Sequence, residues 1–319
     1  MKTIGVLTSG GDSSGMNPAI RSITRYALYK GVAVYGVLRG YSGLLIGDFV
    51  KLNHRSVSNI INKGGTILKT ARSQEFFSVS GQRKAIVQLK AYGIDALITI
   101  GGDGTFRGAH ALSSRWGIQV VGVPSTIDND LNGTDFSIGS DTAVNVALDA
   151  IDKIRDTATS LERIFIIEVM GRLSGYIALE VGLAGGSEEV LIPEKKFDVN
   201  AICERIKKGR QAGKYSWIII VAEGAIPSYK LADVIKKKTR FDVRVSVLGY
   251  IQRGGSPTAF DRVLATKLGC SAVDALLHQD TDIMVGLSKG KVVKVPLTTA
   301  IKKKKWLDKK LFKLIKILT

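Results

Sequence analysis

The stretch TIGVLTSGGDSSGMNPAIRSITRYALYKGVAVYGVL at residues 3–38 decides the fold. It opens with an apolar run at 3–8, passes through a glycine-rich loop, continues as an amphipathic helix over 16–30 and ends in a second apolar run at 32–38. Short unbroken apolar runs predict strands that are covered on both faces. A strand, a helix and a strand in this order predict a parallel pair joined by a crossover helix.

The same alternation continues along the chain. Further strands are predicted at 94–100, 118–123, 164–170, 216–222 and 243–248, with a long helix at about 140–158. The 319 residues are long enough for two domains at roughly 150 residues each. We therefore predict an α/β protein with two doubly wound domains and mainly parallel sheets.

The composition narrows the class of protein. Apolar residues make up 45% and charged residues 23% of the chain, which is globular and excludes disorder. Forty-six basic against 28 acidic residues give a net charge of +18, which attracts nucleic acid, acidic lipid or phosphorylated metabolites. Aromatic residues are only 7% and do not interleave with the basic ones, so a nucleic-acid surface is not favoured. No apolar run approaches the roughly 20 residues of a membrane span, and the N-terminus is unlike a signal peptide, which predicts a cytoplasmic protein.

The C-terminal tail concentrates the positive charge. Four lysines at 302–305 precede WLDKKLFKLIKILT, in which Trp306, Leu311, Ile315 and Leu318 form one apolar helical stripe. Such a helix lies either on a membrane surface or with its stripe against the body of the protein. We favour packing on the body.

Two glycine-rich loops follow predicted strands and open helices. They are SGGDSSG at 9–15 and GGDGT at 101–105. Glycines let backbone amides approach an anion, and a helix N-terminus adds partial positive charge. Asp103 is placed to hold Mg²⁺ against oligophosphate oxygens. For a single loop a turn is the commoner explanation, but two such loops at neighbouring strand ends favour a phosphate site.

A third loop, PSTIDND at 124–130, follows the strand at 118–123. Asp128 and Asp130 are two residues apart, so in an extended segment both side chains point to one face. Beside a nucleotide they would supply a base for an attacking hydroxyl and a group near the metal. The alternative is an Asx-rich turn.

Basic and acidic residues follow the later strands. Met170-Gly171-Arg172, Glu223-Gly224 and Arg253-Gly254-Gly255 come after predicted strands, and Arg163 and Arg244 lie at or just before them. Guanidinium groups are natural ligands for a fixed phosphate. Together these residues indicate a sugar-phosphate pocket, although each arginine alone is typical of a surface ion pair.

These motifs together resemble the bacterial ATP-dependent 6-phosphofructokinase family. The segments that carry the resemblance are LTSGGD at 7–12, INKGGTILKTAR at 61–72, IGGDGT at 100–105, TIDND at 126–130, DAIDKIRDTA at 149–158, EVMGR at 168–172, VAEG at 221–224 and QRGGSPTAFDR at 252–262. The resemblance implies transfer of the γ-phosphoryl of MgATP to the 1-hydroxyl of fructose 6-phosphate. It also implies an ATP-binding domain at 1–139 plus 252–303, a fructose 6-phosphate-binding domain at 140–251 plus 304–319, and an active site in the cleft between them.

The resemblance assigns roles to individual residues. Asp128 matches the general base, with Thr126 and Asp130 beside it, and Asp103 matches the magnesium-associated aspartate. Arg72 and Arg172 match groups that neutralise the transferring phosphoryl. The matched nucleotide contacts are Gly11, Tyr41, Arg72, Gly102, Asp103, Gly104, Thr105 and Gly108. Gly11 also matches a catalytic position of the family. The matched sugar-phosphate contacts are Thr126, Asp128, Met170, Gly171, Arg172, Glu223 and Arg253, together with Arg163 and Arg244 lent by a neighbouring subunit, which implies a homotetramer. Tyr250 stands at a further sugar-phosphate position.

Four positions are relevant to the choice of phosphoryl donor or to the affinity for fructose 6-phosphate. Pyrophosphate-dependent relatives carry an aspartate where Gly104 stands, so glycine here predicts ATP as the donor. Ser125 replaces the usual glycine, a departure that we expect to be tolerated. Tyr250 replaces a histidine that touches the sugar 6-phosphate, and because a phenol cannot become cationic we predict weaker binding of fructose 6-phosphate. Tyr176 replaces an aspartate, and nothing in the sequence predicts its effect.

The implied effector site is degraded. The positions that match the family's ADP and phosphoenolpyruvate site are Arg21, Arg25, Arg155, Gly186, Glu188 and Lys214. At His54, Asn59, Ala212, Tyr215 and Ser216, charged or basic groups are usual in the family. Because each charge-assisted bond contributes about 1.5–3 kcal/mol, we predict weak or absent regulation by these effectors.

Two other functions stay open from the sequence. One is a catalytically weak sugar-phosphate sensor derived from this family, which Tyr176 and Tyr250 motivate. The other is a basic nucleic-acid-binding protein, which the net charge permits and no motif supports. The intact Asp128, Arg72, Asp103 and Arg172 favour the kinase.

Overall fold

The computed structural model describes residues 1–302, 305 and 307–318. They form two compact units. Unit 1 contains Met1–Thr142 and Arg253–Lys305, and unit 2 contains residues 143–252 and the C-terminal helix. These bounds differ from the predicted domain ranges by one to three residues. The ligand assigned to each range stays a prediction.

The strands and helices are numbered in chain order. The strands are β1 (Thr3–Thr8), β2 (Ala33–Val37), β3 (Phe49–Leu52), β4 (Ala96–Gly101), β5 (Gln119–Pro124), β6 (Ile164–Val169), β7 (Glu189–Leu191), β8 (Trp217–Ala222), β9 (Val243–Val247), β10 (Ile283–Ser288) and β11 (Lys291–Pro296). The helices are α1 (Met16–Tyr29), α2 (Gly40–Ile46), α3 (Val79–Ala91), α4 (Asp103–Trp116), α5 (Ser140–Leu161), α6 (Tyr176–Ala184), α7 (Val199–Gln211), α8 (Ser228–Thr239), α9 (Ala259–Leu277), α10 (Leu297–Lys302) and α11 (Lys309–Leu318).

Unit 1 is built on a seven-stranded sheet in the order β11-β10-β5-β4-β1-β2-β3. The five inner strands pair in parallel, and β3 and β11 add an antiparallel strand at each edge. Ile20 of α1 and Leu268 of α9 are fully buried on one face. Leu44 of α2 and Phe106 of α4 are fully buried on the other. Burial of each such side chain contributes about 1.5–3 kcal/mol, so both faces hold the sheet in place.

Unit 2 is built on a four-stranded sheet in the order β7-β8-β6-β9, with every pair parallel. Ile202 and Ile206 of α7 and Leu231 and Ile235 of α8 are buried in a core against this sheet. Helix α11 packs against α6.

The predicted fold class is confirmed, and each predicted strand corresponds to a strand of the structure. Four strands were missed, namely β3, β7, β10 and β11. Strand β7 has only three residues, and β11, KVVKVP, interrupts its apolar residues with lysines at an edge. Neither pattern resembles the unbroken apolar run of a central strand.

The apolar stripe of the C-terminal helix packs on the body of the protein along part of its length, as predicted. Ile315 is buried and Leu311 is half-buried, in agreement with packing on the body, whereas Leu318 at the helix end is exposed. Trp306, the first residue of the predicted stripe, lies outside the described residues. In the part of the chain that the structure describes, no helix is long and apolar enough to cross a membrane.

Candidate active site

The first glycine loop, residues 9–15, connects β1 to α1. Gly10 and Gly15 have φ angles of 89° and 124°, in the region that favours glycine. The hydroxyl of Ser14 donates to the carbonyl of Gly255 at 2.8 Å. This bond holds the loop to the QRGGSP segment, far away in the sequence.

Arg253 lies against the backbone of this loop. Its Nη1 donates to the carbonyl of Asp12 at 3.1 Å. A Cβ atom on Gly11 would lie 2.2 Å from the same Nη1. Glycine at 11 therefore leaves the space that the guanidinium occupies, and Arg253, predicted as a sugar-phosphate residue, belongs to unit 1.

The second glycine loop, residues 101–105, joins β4 to α4. The Thr105 hydroxyl donates to the carbonyl of Ser9 at 3.0 Å, which ties the two glycine loops together. A Cβ atom on Gly104 would meet nothing within 4 Å, so the backbone there faces open space. Asp103 begins α4, and its Oδ2 accepts from Nε of Arg107 at 2.9 Å.

Tyr41 lies beneath the second loop. It is 6% exposed, its hydroxyl donates to the carbonyl of Thr105 at 2.6 Å, and its ring stacks on Phe76 at 4.0 Å between centroids. A Cβ atom on Gly108 would lie 2.6 Å from this ring, so glycine makes room for it. Burial raises the pKa of the Tyr41 phenol well above its ordinary value. Tyr41 thus supports the loop from below.

The third loop carries Asp128 and follows β5. The sequence-based expectation of an extended segment is wrong, because Ile127 and Asp128 form a turn and Asn129 has a left-handed φ of 45°. Asp128 is buried with 4% exposure, whereas Asp130 is half-buried. The backbone N–H of Asp128 donates to Oγ1 of Thr126 at 3.3 Å. The two carboxylates therefore have different surroundings.

Asn129 fixes this turn. Its Nδ2 donates to the carbonyl of Asp135 at 3.1 Å, and its Oδ1 accepts from the N–H of Ser137 at 3.0 Å. The Ser137 hydroxyl in turn donates to the carbonyl of Thr126 at 2.6 Å. Asparagine tolerates the left-handed region and binds nearby backbone, so the Asx-rich turn that the sequence offered as the alternative is the conformation observed.

A further contact joins the loops of unit 1. The hydroxyls of Ser13 and Ser125 are 2.8 Å apart, and both side chains are buried. Ser125 is therefore accommodated by a partner on the first glycine loop.

Asp261 is a buried carboxylate of α9. It accepts from the N–H of Gly139 and from the N–H of Thr142, each at 2.8 Å. Burial raises the pKa of Asp261 to about 6, although these hydrogen bonds act to lower it.

In unit 2, the loop after β6 carries Met170, Gly171 and Arg172. Oε1 of Glu223 accepts from the N–H of Arg172 at 2.6 Å and of Gly171 at 3.1 Å. Gly171 and Arg172 both have positive φ, and the Arg172 side chain is exposed. Glu223, predicted to touch the sugar, thus holds the backbone of the neighbouring loop.

Gln252 links the loop after β9 to the loop after β6. Its Oε1 accepts from the N–H of Met170 at 3.3 Å, and its Nε2 donates to the carbonyl of Gly249 at 3.1 Å. Tyr250 lies in the 3₁₀ turn Gly249–Gln252 with 82% exposure. Tyr176 begins α6 and is half-buried.

Arg163 and Arg244 share one carboxylate. Oδ2 of Asp242 lies 2.8 Å from Nε of Arg163 and 3.1 Å from Nη2 of Arg244. Asp242 was missed by the sequence analysis, because no local motif marks it. The three side chains lie at the N-terminal ends of β6 and β9, which are paired in parallel.

The residues predicted for effector binding in unit 2 form two contacts. Nη2 of Arg155 donates to the carbonyl of Gly186 at 2.9 Å. Nζ of Lys214 lies 2.9 Å from Oε1 of Glu188, whose side chain is almost completely buried. The other two predicted effector residues, Arg21 and Arg25, lie on α1 in unit 1.

Arg72, predicted to neutralise the transferring phosphoryl, is exposed and lies in the segment that precedes α3.

The loops of unit 1 define a class of protein. Two glycine loops and a buried carboxylate follow β1, β4 and β5, which are neighbours in the sheet. Ligands of open α/β sheets bind beyond the carboxyl ends of the strands. Glycine-rich loops next to a carboxylate at this edge of the sheet are typical of an α/β phosphotransferase.

Comparison with known proteins specifies the family. A sequence model described as phosphofructokinase matches residues 3–276. ATP-dependent 6-phosphofructokinase 1 of Thermus thermophilus is 53% identical over 320 residues, covering 100% of this chain and 99% of that protein. ATP-dependent 6-phosphofructokinase of Thermotoga neapolitana is 50% identical over 319 residues, covering 100% of both. The chain belongs to the phosphofructokinase family, as the sequence predicted.

Solved structures agree with this placement. Pichia pastoris phosphofructokinase in the T-state superposes with a TM-score of 0.90 at 38% identity, over 94% of this chain and 37% of that chain. Pyrophosphate-dependent phosphofructokinase from Marinobacter aquaeolei gives a TM-score of 0.86 at 23% identity, over 100% of this chain and 91% of that chain. The second likeness shows a shared fold alone.

Proposed function

We propose that this chain transfers the γ-phosphoryl of MgATP to the 1-hydroxyl of fructose 6-phosphate and releases fructose 1,6-bisphosphate and ADP. The buried carboxylate of Asp128, on a loop that follows a strand next to those of the two glycine loops, is the observation that carries this function. Full-length relatives of about 50% identity named as ATP-dependent 6-phosphofructokinases confirm the predicted kinase over the sensor.

Asp128 acts as the general base in this proposal. Its carboxylate accepts the proton of the 1-hydroxyl as that oxygen forms a bond to the γ-phosphorus. The bond between the γ-phosphorus and the bridging oxygen breaks, and ADP leaves with the bond's electron pair. A positioned base contributes typically 10²–10⁴-fold to such a step, so the turn fixed by Thr126 and Asn129 is central to the rate.

The glycine loops bind the nucleotide phosphates through backbone N–H groups. Because a Cβ atom on Gly104 would meet nothing within 4 Å, no protein group crowds a phosphate at this position. Mg²⁺ is usually held by one or two carboxylates together with substrate phosphates, and the partly exposed Asp103 at the start of α4 fits this role. Mg²⁺ would neutralise charge on the phosphates, and Arg72 and Arg172 would add to this.

The residues proposed for the sugar phosphate are those of the MGR loop with Arg163, Arg244, Tyr250 and Arg253. Asp242 orients the guanidinium groups of Arg163 and Arg244. Bidentate pairing to phosphate suits arginine better than lysine. The exposed phenol of Tyr250 can give one hydrogen bond and no positive charge.

We also propose a homotetramer in which Arg163 and Arg244 serve a neighbouring subunit. Strand β9, which carries Arg244, lies at the edge of its sheet; its last residue, Val247, is exposed, as are Tyr250 and Ile251 just after it. Exposed apolar side chains close to a sheet edge are typical of an interface. Sedimentation velocity of the intact chain would test this, and a monomer at assay concentration would contradict it. A cytoplasmic location stays a prediction of the sequence.

Weak regulation is proposed for the effector positions. Lys214 is paired with Glu188, and Arg155 with the carbonyl of Gly186, so these cations already have protein partners. We expect phosphoenolpyruvate at millimolar concentration to change the rate less than about twofold, since charge-assisted bonds of about 1.5–3 kcal/mol each are missing from the pocket. Strong inhibition below millimolar concentration would contradict this expectation.

The test of the function is formation of fructose 1,6-bisphosphate from fructose 6-phosphate with MgATP, with pyrophosphate as the parallel donor. Turnover with ATP alone that disappears in Asp128→Asn is the expected result. Binding of fructose 6-phosphate without turnover would favour the sensor, and turnover with pyrophosphate would overturn the choice of donor.

A further inference from the structure

We propose that Lys305 is a positioning residue for phosphoryl transfer, because its ammonium group holds the turn that carries Asp128. The inference rests on the proposed function, and it assigns a role to the lysine-rich segment before α11. It concerns a residue that no motif of the family-like segments contains.

The ammonium group of Lys305 contacts the third loop directly. Its Nζ donates to Oδ1 of Asn129 at 3.0 Å and also donates to the backbone carbonyl of Asp135. Asn129 directly follows Asp128 in the chain. Lys305 therefore binds the residue next to the proposed base.

This contact completes a ring of hydrogen bonds. Asn129 itself donates to the carbonyl of Asp135, and its Oδ1 also accepts from the N–H of Ser137. Lys305 thus binds both partners of the Asn129–Asp135 hydrogen bond. Asn129 has a left-handed φ of 45°, which a residue other than glycine keeps only when its surroundings hold it there.

Charge favours the ammonium group at this place. Among the described residues, the charged groups that act on Lys305 are the carboxylates of Asp135 and Asp130. Lys305 is largely removed from water, and burial lowers its pKa to about 8, although the two carboxylates act in the opposite direction. The side chain is therefore charged at pH 7 and loses its proton as the pH rises through about 8.

Loss of this contact acts on the rate more than on binding. Without the ammonium group, Asn129 keeps Ser137 as a partner, so we expect the turn to persist with a less fixed Asp128. A misplacement of about 1 Å can lower a rate about 10²-fold, and a partial loosening is expected to lower kcat about tenfold. The hydrogen bonds of Lys305 go to Asn129 and Asp135, so we expect the glycine loops to retain the nucleotide in its absence.

The experiment compares the full-length wild type with Lys305→Met, Lys305→Arg and the control Lys302→Met. Lys302 is an exposed lysine at the end of α10, three residues away. For each protein, kcat and KM for both substrates are measured from pH 6.5 to 9.5, with thermal unfolding to verify the fold. The second ionisation of phosphate lies near pH 6, so substrate titration does not interfere above pH 7.5.

We expect Lys305→Met to lose about tenfold in kcat at pH 7 with KM for ATP within about twofold, as loosening of a base predicts. Wild-type kcat should fall with a midpoint near pH 8, and this fall should be absent from both Lys305 variants, because neither side chain titrates there. Lys305→Arg should restore most of kcat at pH 7.

Three results overturn the inference. They are a Lys305→Met enzyme as active as Lys302→Met, a reduced kcat that Lys305→Arg fails to restore, and an alkaline fall that persists in Lys305→Arg. An inactive wild type would overturn the proposed function as well. An active wild type with an unaffected Lys305→Met would overturn the role of Lys305 alone.

Discussion

The loops of unit 1 and the loops of unit 2 hold their side chains in different ways. In unit 1, Asp128, Ser13 and Ser125 are buried, and hydrogen bonds join loops that are far apart in sequence. In unit 2, the loop backbones are held by Glu223 and Gln252, while Arg172 and Tyr250 extend into solvent. Rigid loops suit the transfer of a proton and a phosphoryl group, whereas exposed cations suit the capture of a charged substrate.

Because of this contrast, substitutions in the two units are expected to change different kinetic constants. Changes in the unit 1 loops should lower kcat or the use of the nucleotide. Changes in the unit 2 loops should act mainly on KM for fructose 6-phosphate, except at Arg172, whose proposed charge neutralisation would also affect kcat. Each substitution below either supports this division or breaks it.

The largest effect is expected for Asp128→Asn. An amide cannot accept the proton of the attacking hydroxyl, so kcat should fall about 10³-fold, within the range of a lost general base. KM for fructose 6-phosphate should stay within about threefold, since the amide keeps the shape of the side chain. Steady-state formation of fructose 1,6-bisphosphate measures both.

Asp149→Asn, the same chemical change on an exposed residue of α5, is the matched control. Equal losses of kcat in the two variants would show that the effect does not depend on the position of Asp128. A kcat of Asp128→Asn within tenfold of the wild type would exclude it as the base.

The next effect is expected for Gly104→Asp. The added side chain meets open space in the protein, so the variant should fold, but its carboxylate would repel the nucleotide phosphates. We expect kcat/KM for ATP to fall about 10–100-fold, the effect of about 1.4–2.7 kcal/mol. Gly104→Ala, which adds bulk without charge, should retain most of the activity. An equal loss of kcat/KM for ATP in both variants would mean that the size of the side chain at 104, rather than its charge, determines the use of ATP.

Arg163→Met is expected to act on the sugar phosphate. Loss of one charge-assisted contact worth about 1.5–3 kcal/mol should raise KM for fructose 6-phosphate about 10–100-fold. The control is Arg205→Met, because Arg205 of α7 is also half-exposed and paired with a carboxylate, that of Glu189. A change confined to kcat, or an equal change in the control, would break the division between the two units.

The smallest effect is expected for Tyr250→His. An imidazole becomes cationic near pH 6.5, so KM for fructose 6-phosphate should fall about threefold at pH 6.5 and less at pH 8. Tyr250→Phe, which removes only the hydroxyl, should raise KM slightly at both pH values. An unchanged KM of Tyr250→His at pH 6.5 would show that Tyr250 does not face the sugar phosphate.

The central strands and the loops that follow them could be predicted from the sequence. Strands such as β8, WIIIVA at 217–222, are continuous apolar runs, and the glycines of the loops mark where the backbone turns. Strands β7 and β11 could not be predicted in this way. One is too short for a pattern, and the other is an antiparallel edge strand with lysines.

The groups that hold the site in place were harder to predict. Asp242, Ser137 and Lys305 act through contacts that only the folded chain creates, and Lys305 meets Asn129 across 176 positions of sequence. The turn at Asn129 was only the alternative expectation, because the spacing of Asp128 and Asp130 favoured an extended segment. An asparagine between two aspartates is a turn signal, and in the folded chain it outweighs the two-residue spacing.

The most direct test measures kcat and KM for fructose 6-phosphate in Asp128→Asn and Tyr250→His side by side, with MgATP in excess. The account predicts that Asp128→Asn loses about 10³-fold in kcat with KM nearly constant, while Tyr250→His changes KM with kcat nearly constant. An Asp128→Asn enzyme that loses affinity for the sugar but keeps its kcat would contradict the account.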